Sequence, residues 1–132
     1  MPLTPTQSQI ERLAADDSDE PVVMLNLLRF KERADGIDEG VSGREAYDRY
    51  GAATAPFLAA VGGRLLSAVE ASEVVIGPEE GEWDMALLVE YPSRKRFLEM
   101  ASNPDYLAVH AHREAALEDS RLIACTPVPG QA

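Results

Sequence analysis

The sequence predicts an α+β domain, and three observations carry that prediction. Pro21 to Phe30 (PVVMLNLLRF) is a short, Val- and Leu-rich run with apolar residues at both alternating sets of positions, as in a strand covered on both sides. Two later stretches repeat apolar residues at the ~100° step of an amphipathic helix. Between them, Arg64 to Ile76 and Glu82 to Tyr91 flank a Pro78–Gly81 turn, the pattern of a hairpin.

Each element follows from local chemistry. Thr4 to Asp17 is a short amphipathic helix presenting Ile10, Leu13 and Ala14, with Thr4 as cap and Pro5 at the first helical position. The acidic run Asp16 to Glu20 ends it as a solvated linker, so residues 1–20 stand apart from a single domain at 21–132. In the first strand, alternation places Val22, Met24, Asn26 and Leu28 on one face and Val23, Leu25, Leu27 and Arg29 on the other. Lys31 to Gly43 is charged and glycine-rich, hence a loop.

Ser42 and Gly43 open a helix to about Val61, with Tyr47, Tyr50, Thr54, Phe57, Leu58 and Val61 on one face. Pro56 interrupts its hydrogen bonding and Gly62-Gly63 stops it. After the hairpin, Ser93 caps a helix bearing Phe97, Leu98 and Met100, and Asn103-Pro104 separates this from a helix running to Asp119. Arg121 to Val128 closes the domain as a strand, Pro127 confining it to a terminal or edge position, and Pro129 to Ala132 is a frayed tail. Beyond the N-terminal helix the order is β-α-β-β-α-β, a ferredoxin-like split βαβ fold with a four-stranded antiparallel sheet. Helices cover one sheet face. A second copy of the chain is expected on the other, because both faces of the first strand are apolar and symmetric dimers dominate soluble oligomers.

Composition bounds the function. Twelve basic against twenty-three acidic residues leave a net charge of −11 over 132 residues. That balance argues against nucleic acid, which needs clustered Lys and Arg, and against an anionic membrane surface. The single cysteine, Cys125, forms neither an intrachain disulfide nor a multi-cysteine zinc site. The opening Met1-Pro2-Leu3-Thr4-Pro5 has no basic n-region and no apolar h-region, and a cytoplasmic setting is expected.

Several motifs together resemble one family along nearly the whole chain. In the first half these are PVVMLNLLRFK, Tyr47-x-x-Tyr50, Pro56 and Gly62-Gly63-Arg64-Leu65-Leu66. In the second they are Trp83-Asp84, Glu90-Tyr91-Pro92-Ser93, Phe97, Met100, Asn103-Pro104-x-Tyr106, Arg113 and Arg121-Leu122-Ile123. The chain is similar to a small bacterial family known as a domain of unknown function within the dimeric α+β-barrel superfamily. The resemblance implies a ferredoxin-like protomer whose sheet packs on a partner's to close a barrel. It implies no reaction, since the wider superfamily spans cofactor-independent monooxygenases, lactone isomerases and haem enzymes.

The candidate site comes from the residues themselves. His110 shares a helix face with Tyr106, Val109, Arg113 and Leu117, so an imidazole and a guanidinium interrupt an apolar stripe. His110 is the candidate acid/base and Arg113 the anion holder; the competing reading makes Arg113 the buried partner of a carboxylate and His110 a cap on the core. Asn26 interrupts an apolar strand and could orient a ligand carbonyl or satisfy a loop. Tyr50, Tyr106 and Trp83 complete the expected ligand-binding set. His110 and His112, two apart on a helix, point in different directions and share no metal. Asp35-Gly36-Ile37-Asp38-Glu39-Gly40 resembles a calcium loop but carries Ile37 and Ala46 where ligands are required. No Gly-rich phosphate motif is present, and neither metal nor cofactor is expected. Two readings stay open: a cofactor-independent oxygenase- or isomerase-like enzyme on a small anionic or carbonyl metabolite, and a non-catalytic ligand-binding or dimeric assembly module.

Overall fold

The computed structural model describes residues 2–130. The elements run α1 (Gln7–Ala15), β1 (Val22–Phe30), a 3-10 turn (Gly36–Asp38), α2 (Gly43–Ala60), β2 (Arg64–Glu70), β3 (Met85–Tyr91), α3 (Arg94–Ala101), α4 (Pro104–Ala116) and β4 (Leu117–Cys125). All strand pairs are antiparallel and the sheet order is β2-β3-β1-β4, so the ferredoxin-like topology with an added N-terminal helix is observed. Of the tail expected to fray, Gln131 and Ala132 lie outside the described residues. Among the described residues no helix is long and apolar enough to cross a membrane.

Helix starts follow their caps. Ser42, Ser93 and Asn103 each accept a backbone N–H of the following turn, and Pro104 sits in the first turn of α4. α1 starts later than expected. Thr6 rather than Thr4 caps it, because Thr6 Oγ1 accepts from the Gln9 N–H at 3.1 Å while Gln9 Oε1 accepts from the Thr6 N–H at 2.8 Å. That reciprocal capping box outcompetes a lone cap followed by proline. α2 continues through Pro56 to Ala60.

Strand boundaries differ from the sequence reading in β2, β3 and β4. β2 ends at Glu70 instead of Ile76, and β3 begins at Met85 instead of Glu82, since their pairing stops at Glu70 opposite Met85. There the chain turns toward β1: the Asp84 N–H donates to the Leu28 carbonyl at 2.7 Å, and the Phe30 N–H donates to Asp84 Oδ2 at 2.8 Å. α4 stops at Ala116 rather than Asp119, and β4 starts directly at Leu117. Leu117 is fully buried and pairs with Phe30, so core burial extends this residue out of the helix.

The helix-facing side of the sheet holds two apolar clusters. One gathers Leu28, Ala46, Tyr47, Met85, Ala116 and Leu117; the other gathers Val22, Met24, Tyr91, Met100 and Tyr106. Tyr50 packs against both. The opposite side is apolar and half open. Across it, register aligns Ile123, Leu25 and Leu88, with Ile123 47 % and Leu88 37 % exposed.

Candidate functional site

α4 and α2 build the site. Tyr106 and Arg113, seven positions apart, fall on one face of α4 and are both buried, with His110 between them. From α2, Tyr50 reaches across so that its hydroxyl lies 2.7 Å from that of Tyr106. Tyr47 stacks beside Tyr50 at 5.4 Å between centroids, and the His110 ring stands edge-on to Tyr50 and Tyr106 at 6.4 and 5.9 Å. Burial pushes the phenols of Tyr47 and Tyr106 well above the ordinary tyrosine range, against the pull of the Arg113 cation. Both are neutral hydroxyls. Burial, then the Arg113 charge, also lower the His110 imidazole below its usual value, although Glu114 favours the charged form. His110 Nδ1 lies 3.2 Å from Glu114 Oε1; as a donor there, it leaves Nε2 free to accept a proton.

Arg113 is 7 % exposed, and its hydrogen-bond partner is a neutral one: Nη1 donates to the Leu3 carbonyl at 3.1 Å. Among the described residues no carboxylate lies within ion-pair distance of it. Among the described residues, the ion pair of a buried Arg with a carboxylate is not formed. A guanidinium desolvated in this way keeps a strong attraction for an anion with matching oxygens. The cluster gathers a buried cation, phenolic hydroxyls and an imidazole between α2 and α4.

The structure brings together His110, Arg113, Tyr50 and Tyr106, but not the other two candidates. Asn26 lies in β1 between the residues that feed the two apolar clusters, flanked across the sheet by Leu87 and Leu122. Its side chain donates to the Met24 carbonyl at 3.4 Å. Trp83 stands elsewhere, its ring 5.1 Å beneath the Arg121 guanidinium. Arg121 alternates with buried Ser120, which puts this pair on the opposite side of the sheet. Two surface depressions, of about 380 and 500 Å3, are lined by none of the six sequence candidates. The smaller is bounded by Leu3, Lys31, Asp35, Ile37 and Glu114.

A polar cluster that sequence spacing missed lies on another face of α4. Asp38, fully buried in the 3-10 turn, accepts from Arg49 Nη1 at 2.8 Å through Oδ1 and lies 2.7 Å from His112 Nδ1 through Oδ2. Burial alone would raise its carboxyl, but the hydrogen bonds from Arg49 and His112 hold it below the ordinary value. The cluster pins the loop after β1 to both long helices. Its members come from a loop and two helices, so no sequence period links them. The one local signal, an aspartate in a glycine-rich loop, reads equally well as a solvated turn.

The family described as a domain of unknown function, DUF1330, matches residues 38–126. A crystal structure of a protein of unknown function from Rhodopseudomonas palustris is 38 % identical, with TM-score 0.88 over 96 % of each chain. A dabb family protein with a ferredoxin-like fold from Mesorhizobium loti is 13 % identical, with TM-score 0.55 over 82 % of this chain and 97 % of that one. A dimeric protein of unknown function and ferredoxin-like fold from Bacteroides fragilis is also 13 % identical, with TM-score 0.50 over 80 % and 94 %. The last two likenesses concern the fold alone. No curated protein matches the sequence.

Proposed function

The chain belongs to the DUF1330 family, whose description assigns no activity, and on that premise we propose that it is a homodimeric protein binding a small carboxylate- or carbonyl-bearing metabolite. The observation that carries this reading is Arg113: buried, without a carboxylate partner among the described residues, and on the α4 face that carries Tyr106 and a neutral-leaning imidazole. Arg113 binds the anionic group, Tyr50 and Tyr106 pack beside it, and His110 moves a proton where the bound molecule is turned over. The chemistry needs no resident metal or cofactor, and the single cysteine fits a cytoplasmic setting.

Dimerisation is supported by the open apolar sheet face and by the dimeric relative with the same fold. The packed ring cluster, which neither depression reaches, favours a second reading in which the protein binds without catalysis or serves as an assembly module. A thermal-shift screen of paired ligands tests the proposal, since a ligand binding only the folded state raises the melting temperature. Benzoate should raise it in wild type, benzamide should not, and Arg113→Met should abolish the benzoate response. Equal shifts in wild type and variant would remove Arg113 from the site.

A further inference from the structure

Arg113 does not meet Leu3 alone. Ser120, 5 % exposed at the start of β4, donates its hydroxyl to the Pro2 carbonyl at 2.8 Å, beside the 3.1 Å bond from Arg113 to the Leu3 carbonyl. Two buried donors from different elements thus converge on adjacent peptide oxygens of one segment. That segment, residues 2–5, forms neither helix nor strand. Pro2 and Pro5 have no peptide N–H within the chain, so it offers acceptors with few competing donors. Leu3 anchors it by packing on the cluster of Leu28, Tyr47 and Leu117. Leu3 also walls the smaller depression, beside Lys31. Leu3 therefore stands between that open depression and the buried guanidinium.

We infer that the Pro2–Leu3 segment is a removable strap that occupies the ligand's place, its carbonyl oxygens standing on Arg113 and Ser120 where a carboxylate binds. This rests on the reading of Arg113 as an anion anchor and adds how the site opens. Neutral peptide oxygens leave the guanidinium charge uncompensated, whereas a carboxylate supplies two acceptors and a full negative charge. Displacing the strap joins the depression to Arg113, with Lys31, paired to Asp35 at 2.6 Å, and Glu114 at the mouth. The strap scales the apparent affinity down to the fraction of time the site is open.

The test is benzoate affinity by NMR titration of wild type, Leu3→Ala, Leu3→Asp and Leu3→Asp/Arg113→Met, with folding checked by circular dichroism. If the site is open roughly a tenth of the time, freeing the strap tightens binding by about tenfold. Leu3→Asp should approach that gain, Leu3→Ala should fall between, and the double variant should not bind. In wild type, saturating benzoate should move the Leu3 amide resonance to a random-coil position. Should Leu3→Asp fail to fold, the gain in Leu3→Ala and the Leu3 resonance decide. Equal affinities with a stationary Leu3 resonance would overturn the strap while leaving the anion site standing. Absence of binding to every protein would overturn both.

Discussion

At the scale of single residues, burial is matched by charge in one cluster and unmatched in the other. Asp38 has an arginine and a histidine as hydrogen-bond partners, whereas Arg113 has a peptide oxygen. The two should respond oppositely to neutralisation. Removing one partner of a buried ionic set leaves the others uncompensated, so Asp38→Asn should cost about 2–3 kcal/mol in urea denaturation; half-exposed Arg49 regains water and keeps the loss at the lower end. Arg113→Met removes a desolvated charge with no anionic partner, and a flexible apolar side chain fills its volume. Its ligand-free melting temperature should equal or exceed that of wild type. A clear destabilisation would mark Arg113 as structural.

The pH dependence at this scale has one sign. His110 is held below its usual value of 6.5 in the folded state, so the unfolded chain binds the proton more readily, and stability falls as pH drops through the window beneath 6.5. Asp38, held below 3.8, adds stability that is present above 3.8 and lost as pH falls through its lower folded value. Urea midpoints between pH 8 and 5 should therefore decline in wild type and decline less in His110→Gln. Arg113 was legible in the sequence because a cation on an apolar helical stripe breaks a visible period. Asp38 was not, because only the tertiary fold removes that loop aspartate from water.

At the scale of elements, centres were legible and ends were not. Periodicity locates β1, α2 and α4, because the helix and strand steps show over a whole segment. The ends depend on partners that the local sequence does not display. Leu117 leaves α4 to be buried beside Phe30, β2 stops where β3 turns to β1, and α1 starts at the residue whose cap can be reciprocated. Gly43 shows how tightly one such junction is built. A Cβ there would lie 2.1 Å from the Lys31 carbonyl oxygen and 2.7 Å from that of Ala116, both backbone atoms that cannot swing aside. Gly43→Ala should therefore cost about 3 kcal/mol or more, read as a lowered urea midpoint, because the ends of β1, α2 and α4 must separate. Gly51→Ala, whose Cβ meets nothing within 4 Å, is the matched control and should be neutral or stabilising.

At the scale of the molecule, the sheet has one finished face and one open one. The row of Ile123, Leu25 and Leu88 is apolar in a chain of net charge −11, and in the proposed dimer a second copy covers it, joining the two sheets as in a barrel. Ile123→Glu and Leu88→Glu place like charges across that twofold contact. Light scattering should report a dimer for wild type and a monomer for the double variant, with the fold retained. The acidic excess lies mainly in linkers and loops, where it favours solubility, and it leaves the buried cation as the feature with chemical direction.

That cation is the centre of the account, and its own side-chain resonance tests it most directly. The Arg113 Nε–H signal, assigned by its loss in Arg113→Met, should shift saturably as benzoate is added to wild type and stay fixed with benzamide. A signal that remains still at millimolar benzoate, or that follows both compounds alike, would contradict an anion site at Arg113.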